Sequence, residues 1–303
     1  MKTSAIRAIR FLAIATLLVL VTRKSTAEKA LRAKYREWVE EGDRIHVRSW
    51  YAEAEAVLTE EWRLDIVGVV DTWSGATPIG LPPTEFDWLS DPIEETRRAG
   101  LITLSREAGK YDFSVEFGLS HEPDYLSCSY AFRLARQYAE ETLTLSAGLS
   151  YLDDTVDTQM IGYPGFDEQT KRTPEIILGA HRVLDPKTTL AMNLSYSRPS
   201  GYLSDPYKSV AYYAKVHGAK VLRQTPENRP DARNVYVVFV EGTRYIESLR
   251  SSLQGSYRFF ADDSGLRGNT LEVQWFQRFG ENLVVRPLLR YYNQSAADYY
   301  VTI

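Results

Sequence analysis

The stretch TLTLSAGLSY, residues 142–151, puts two unlike faces on one strand. Side chains alternate across a strand with period two. Leu143, Leu145, Ala147, Leu149 and Tyr151 therefore share one face, and Thr144, Ser146, Gly148 and Ser150 the other. A soluble sandwich would turn the apolar row to its core and the small polar row to water. A sheet closed within a bilayer would turn the apolar row to lipid and the polar row to a lumen. One strand fits both solvents, so the choice rests on how the rest of the chain repeats it.

The pattern recurs along most of the chain. In YDFSVEFGL, Phe113, Val115, Phe117 and Leu119 oppose Asp112, Ser114, Glu116 and Gly118. TLAMNLSY sets Leu190, Met192, Leu194 and Tyr196 against Ala191, Asn193 and Ser195. RSWYAEAEAVL, RLDIVGVV, SLQGSYRFF, TLEVQWFQ and LVVRPLLRYY continue it, with little helical periodicity anywhere. Short turns at 59–62, 107–111, 137–141, 184–187, 245–248 and 279–282 alternate with longer polar loops at 73–99, 152–173, 198–232 and 260–268; only 121–125 is brief. Short turns on one side and long loops on the other describe a meander whose ends face different compartments, a rhythm that Greek-key crossings do not produce.

The N-terminus sets the route. Lys2, Arg7 and Arg10 precede the apolar run FLAIATLLVLV (11–21), and Ser25, Thr26 and Ala27 offer small residues for cleavage after Arg23 and Lys24. The run is short for a bilayer span and has the proportions of a secretory signal. The charged stretch that follows, AEKALRAKYREWVEEGD, fits a short helix, and its second half (34–39) fits a first strand equally well. Twenty Tyr and six Trp suit membrane–water interfaces. A net charge of −4 without a basic stripe argues against a nucleic-acid partner. The lone Cys128 excludes an internal disulfide and is in register with Tyr130, Phe132 and Leu134. The expected fold is all-β: a signal peptide over 1–27, then over 28–303 an antiparallel up-and-down transmembrane β-barrel of about 12–14 strands in the outer membrane. The alternative is a secreted β-sandwich.

Five stretches carry a family resemblance: VVDTWSGATP (69–78), ETRRAG (95–100), GYLSDPYK (201–208), ENRPDAR (227–233) and RYYNQSAADYY (290–300). In combination they resemble a family of bacterial outer-membrane barrels, domain of unknown function 3570. The resemblance implies a barrel fold and an envelope location, and brings no established catalytic residues. Such barrels commonly close on a strand ending in an aromatic residue, whereas this chain stops at YYVTI. The turn rhythm also needs KYREWV as strand one, for about 13 strands, where single-chain bacterial barrels use even numbers. The expectation is a barrel with a gap between its first and last strands, or a first segment outside the barrel.

Chemical motifs are sparse. His46, His121, His181 and His217 lie in neither a Gly-x-Ser-x-Gly elbow nor a His-Glu-x-x-His helix. The acidic turns 151–159 and 261–269 lack the ligand spacing of a calcium loop. No catalysis, metal or cofactor is expected. The polar rows say more: Glu53, Glu55, Asp65 and Glu116 come from early strands, and Arg133, Arg258, Glu272, Arg286 and Arg290 from later ones. These nine are the candidate lumen-lining residues, either setting a field across a wet pore or forming ion-pair ladders that fill a narrow one. Asp205, Lys208, Glu227 and Arg229 are the loop or mouth candidates, fixing one loop against another or folding a constriction into the mouth. The expected partners are the lipid bilayer and either small solutes or an envelope protein. The function expected first is a non-catalytic pore for small solutes or a structural scaffold. A barrel that docks a periplasmic or surface protein, redox in character by the family resemblance alone, comes second, and a lipid-active barrel enzyme third.

Overall fold

The computed structural model describes residues 29–40, 45–75, 93–158, 168–205, 209–281 and 283–299. The expected signal peptide and Lys208 lie outside them. Nine long strands follow one another: β1 (Lys29–Val39), β2 (Ile45–Val57), β3 (Trp62–Gly75), β4 (Ile93–Ala108), β5 (Tyr111–His121), β6 (Tyr125–Tyr138), β7 (Leu143–Asp157), β8 (Glu168–Asp185) and β9 (Thr188–Ser197). The next connection holds a short β10 (Ser200–Gly201) and a hairpin of β11 (Ser209–Val216) and β12 (Ala219–Pro226). The chain then returns to long strands with β13 (Val235–Ile246), β14 (Ser251–Asp262), β15 (Arg267–Phe279), β16 (Leu283–Val285) and β17 (Leu288–Gln294).

Fifteen of these strands make one antiparallel sheet in which each long strand pairs with its neighbours in sequence, and β9 passes directly to β13. This is the wall of an up-and-down β-barrel. Both β16 and β17 pair with β15 and form one strand interrupted at 286–287. Pro287 has no N–H to give the ladder, although its carbonyl still accepts from the Trp275 amide at 3.1 Å. Counted that way, thirteen strands cross the sheet among the described residues, as the sequence pattern predicts. No ladder joins β1 to β17 among these residues: β1 pairs with β2 and β17 with β15.

Three features differ from the sequence expectation. The strands outrun the apolar rows: β3 continues to Gly75, β7 to Asp157 and β14 to Asp262, so the long connections are shorter than the polarity pattern suggests. Outside hydrocarbon a strand needs only its backbone ladder, and alternation can lapse without ending it. Within the described residues, the charged segment after residue 28 is strand from Lys29 to Val39, with all eleven residues of β1 in register with β2, from Lys29 opposite Ala56 to Val39 opposite His46. Cross-strand pairing decides a segment whose own propensity is ambiguous. The β11–β12 hairpin within the connection 198–234 left no clear trace in the pattern; His217 and Gly218, both at positive φ, make its turn, a backbone that suits Gly and the type I′ geometry of tight hairpins.

The two faces separate as TLTLSAGLSY suggests. One row runs Val115, Phe132, Leu149, Ile176, Tyr196, Tyr236 across β5, β6, β7, β8, β9 and β13. Leu149 keeps 59% of its surface exposed and Phe132 45%, a band that water would not tolerate and lipid accepts. Leu143, Leu145, Phe113, Phe117, Leu190 and Leu194 are on the same face by register. Cys128 joins them, buried opposite Leu119 and Asp153. The opposite face is mixed, with charged side chains, some apolar ones such as Val67, Leu101, Ile177 and Phe239, and small residues around β7, β8 and β9. A Cβ at Gly179 would sit 2.5 Å from Ser146 Oγ and 2.7 Å from Asn193 Oδ1, so the glycine is what lets those polar groups close over β8. Among the described residues the buried hydrophobic ones are few: Leu64, Cys128, Ala135, Val156, Val235 and Ala297. The fold is held by ladders and faces, not by a central apolar core.

Leu149→Arg should destabilise the barrel by about 2–4 kcal/mol in denaturant titration from lipid vesicles, and Ser150→Arg on the other face by far less. Equal losses would contradict the assignment of faces.

Candidate functional site at the loop-covered mouth

All nine lumen candidates lie on the polar face. Glu55 is opposite Asp65 between β2 and β3, and Glu116 is opposite Ala131 between β5 and β6. Arg133 faces Ser114 on one side and Gly148 on the other. Arg258 is opposite Thr270, and Glu272 is opposite Arg290. The structure brings some of them together. Arg32 of β1 reaches both Glu53 and Glu55 at 3.2 Å, and Arg63 stands 3.7 Å from Glu55. Arg290 pairs with Glu272. Glu116 accepts a hydrogen bond from Thr103 Oγ1 at 3.2 Å. Arg258 and Arg286 lie over the rings of Phe260 and Phe276, each 5.7 Å from the centroid. Charge is thus compensated strand by strand, by Arg32 and Arg63, rather than across the lumen. Sequence reasoning missed Arg32 because its segment had no settled structure to place it.

A denser polar cluster occupies the long-loop end of the same face. The Arg97 Nη2 and Nε donate to Asp71 Oδ2 at 2.6 and 3.0 Å, directly across the β3–β4 ladder. Glu95, Glu122 and Asp124 bring carboxylate oxygens within 4.8 Å of one another. A cavity of about 450 Å³ lies against this group, with Arg36, Trp38, Tyr51, Asp71 and Glu122 among its walls. Further round, Lys171 Nζ sits 3.1 Å from the Asp154 carboxylate and donates to Tyr125 OH at 2.9 Å. Burial pushes the Glu122 carboxyl above its ordinary range; Arg97 resists this, and the charges of Asp124, Glu95 and Asp71 add to it.

The connection 198–234 turns back over this end. Ser200 and Gly201 pair with Arg172 and Lys171 of β8, and Ser200 bridges to Ala232. Of the mouth candidates, Asp205, Glu227 and Arg229 meet. The Asp205 amide donates to Glu227 Oε2 at 3.1 Å, Arg229 Nη2 lies 2.9 Å from the same oxygen, and the Arg229 amide donates to Ser204 Oγ at 2.9 Å. Burial alone would lower the Arg229 pKa; the hydrogen bond and charge of Glu227 outweigh it and raise it. All five stretches that carry the family resemblance supply residues here: Asp71, Glu95 and Arg97, Tyr202 and Ser204, Arg229 and Arg233, and Tyr299. Their separation in sequence hid this convergence. The histidines do not converge: His46 bonds Glu37 at 2.8 Å, His121 ends β5, His181 lies on β8 and His217 turns the hairpin.

Two outcomes follow. The Asp154 side chain is only 1% exposed, so Lys171→Met leaves a buried charge unpaired and should cost about 3–5 kcal/mol. Asp154→Asn in the same chain should recover most of the loss, both read by denaturant titration. Glu122 has the opposite sign. A carboxyl whose pKa is raised on folding costs stability above that pKa, and the cost is relieved as pH falls through it. Glu122→Gln should match or exceed the parent Tm at neutral pH, and the gap should close in acid as the parent protonates; a lower Tm at neutral pH would contradict this.

Comparison with known proteins agrees with the fold. Among solved structures, the chain is similar to the siderophore receptor PirA from Pseudomonas aeruginosa, with 11% identity, a TM-score of 0.48, and coverage of 89% of this chain and 46% of that one. It is similar to the FrpB iron transporter from Neisseria meningitidis in its apoprotein form, with 11% identity, a TM-score of 0.50 and coverage of 88% and 56%. An outer membrane channel from Pseudomonas putida F1 matches at 9% identity and a TM-score of 0.42, covering 88% and 93%. The chain spans about half the length of the first two. At such identity the likeness to FrpB speaks for the fold alone. No curated protein matches the sequence. The model of one family matches residues 5–89 and 86–303, nearly the whole chain. The chain belongs to that family, described as protein of unknown function (DUF3570), and its fold is that of the outer-membrane β-barrels.

Proposed function

We propose that this protein is a non-catalytic outer-membrane pore for small solutes, its lumen lined by the polar face. The observation that carries this reading is open charge on that face. Arg133 and Arg258 are exposed and have no acidic partner among the described residues. A barrel interior packed shut would have to bury or pair such groups, at a cost of several kcal/mol per ion. Water in the lumen removes that cost. Glu53, Glu55 and Glu272 are compensated on their own or adjacent strands, whereas Arg133 and Arg258 stand on the same face as the acids Asp65 and Glu116, so passing ions meet charge of both signs.

A second reading, a barrel that docks an envelope protein, draws on the β11–β12 hairpin. Residues 209–226 carry Lys215, Lys220 and Arg223 and no acidic residue. Among the described residues the two strands pair only with each other, and Tyr213 keeps 68% of its surface exposed.

Planar-bilayer recording of refolded full-length protein separates the two. The pore reading expects stepwise current, a reversal potential that moves toward cation preference in Arg133→Glu and Arg258→Glu, and nearly unchanged stability in both variants. A silent bilayer with correctly folded protein would reject the pore and leave the docking barrel.

A further inference from the structure

The second mouth cavity has the chemistry of a ligand site. Its volume is about 700 Å³, within the range of small-molecule pockets. Its walls come from the barrel, through Tyr125, Lys171, Thr173 and Val235, and from the overlying loop, through Tyr202, Arg229 and Arg233. The loop is held there by backbone bonds: the Tyr202 amide donates to the Thr170 carbonyl at 2.9 Å, and the Arg233 amide to the Pro199 carbonyl at 3.0 Å. The cavity is therefore fixed by ladder bonds and does not depend on side-chain packing alone.

Three cations and a single carboxylate, Asp263, line it. Each cation has an acid behind it. Lys171 is backed by Asp154 at 3.1 Å, Arg229 by Glu227 at 2.9 Å and Arg233 by Asp262 at 3.4 Å. The acids are shut away, with side-chain exposures of 1%, 11% and 0%, whereas the cations keep 29%, 25% and 35%. A ligand entering the cavity meets the positive ends of three oriented pairs. The Nε of Arg229 and the Nε of Arg233 are buried and have no acceptor among the described residues. A guanidinium offers donors along its Nε edge to both oxygens of a carboxylate or phosphate. Beyond the hydroxyls of Thr173, Ser197, Ser204 and Ser264, the rest of the wall is aromatic and aliphatic, with Tyr125, Tyr202 and Tyr299 beside Val156 and Leu203. An inorganic ion would leave most of that volume unfilled.

We propose that this cavity binds a small organic anion, its carboxylate or phosphate head held by Arg229, Arg233 and Lys171 and its flat or apolar body packed among the tyrosines. The site stands on the mouth geometry and is independent of whether the lumen conducts.

Calorimetric titration of the refolded full chain in detergent tests it, with benzoate and phenyl phosphate as probes and benzyl alcohol, benzylamine and inorganic phosphate as controls. The two anionic aromatics should bind saturably and the controls should not. Arg229→Lys and Arg233→Lys keep the charge opposite Glu227 and Asp262 but remove the Nε donor, and each should weaken probe binding about tenfold. Heat-dependent gel mobility reports whether each variant has folded. Should Arg233→Lys fail to fold, Arg229→Lys, on the loop itself, decides alone. Absence of saturable probe binding at millimolar concentration, equal binding of benzoate and benzyl alcohol, or unchanged affinity in the folded variants would overturn the proposal. Phosphate binding as tightly as phenyl phosphate would overturn the organic body. Because the readout is binding and not current, failure here leaves the pore reading standing, and a silent bilayer leaves this one standing.

Discussion

Within hydrocarbon the backbone has no water to bond with, so each N–H and C=O on a crossing strand must find its partner in the next strand. That constraint accounts for the ladder that runs unbroken from β1 to β9 and on through β13, β14 and β15. It also explains why strands as unlike in composition as the charged β1 and the apolar-faced β7 take the same conformation. Once the ladder is fixed, each side chain has only two solvents available, and the period of the strand assigns it to one of them. The lipid row and the polar row are two consequences of one backbone requirement.

The polar face solves a different problem. Charges there must be paired, wetted or removed, and the chain uses the first two. The acids of β2 and β3 meet Arg32 and Arg63, and Glu272 meets Arg290 on the adjacent strand. Arg133 and Arg258 remain in the open. Small and some apolar residues fill the intervals, with Gly179 allowing Ser146 and Asn193 to close over it. The resulting surface is mixed, uneven in charge, and without an apolar plug among the described residues.

At the long-loop end the physics changes again. Here the strands stand clear of the bilayer, alternation lapses, and buried polar groups hold the structure. Asp71 with Arg97, Asp154 with Lys171, and Glu227 with Arg229 tie strands and loops into one mouth. Acids are buried behind cations, which orients the cations toward the space they enclose. A buried pair contributes little net stability but loses much when broken, so this arrangement specifies geometry more than it stabilises the fold.

The sequence by itself determined the fold class, because strand alternation is a local property: each residue and its neighbour two along report the same face. TLTLSAGLSY, YDFSVEFGL and TLAMNLSY were enough to place Leu149, Phe117 and Leu194 together and Glu116 and Ser150 opposite. The alternation of short turns and long loops gave the meander and thirteen crossings, and the stretches around Asp71, Arg97 and Arg229 gave the family. The tertiary structure alone decided which charges meet. Arg32 and Glu55, Asp71 and Arg97, Lys171 and Asp154 are joined by register between strands, which no local pattern encodes. It also decided that loop 198–234 turns back over β8 and carries a hairpin, that β7 and β8 continue beyond the apolar rows, and that five distant stretches form one mouth. Each of these depends on where separate strands stop relative to one another, a quantity set by the whole ladder and by no segment of it.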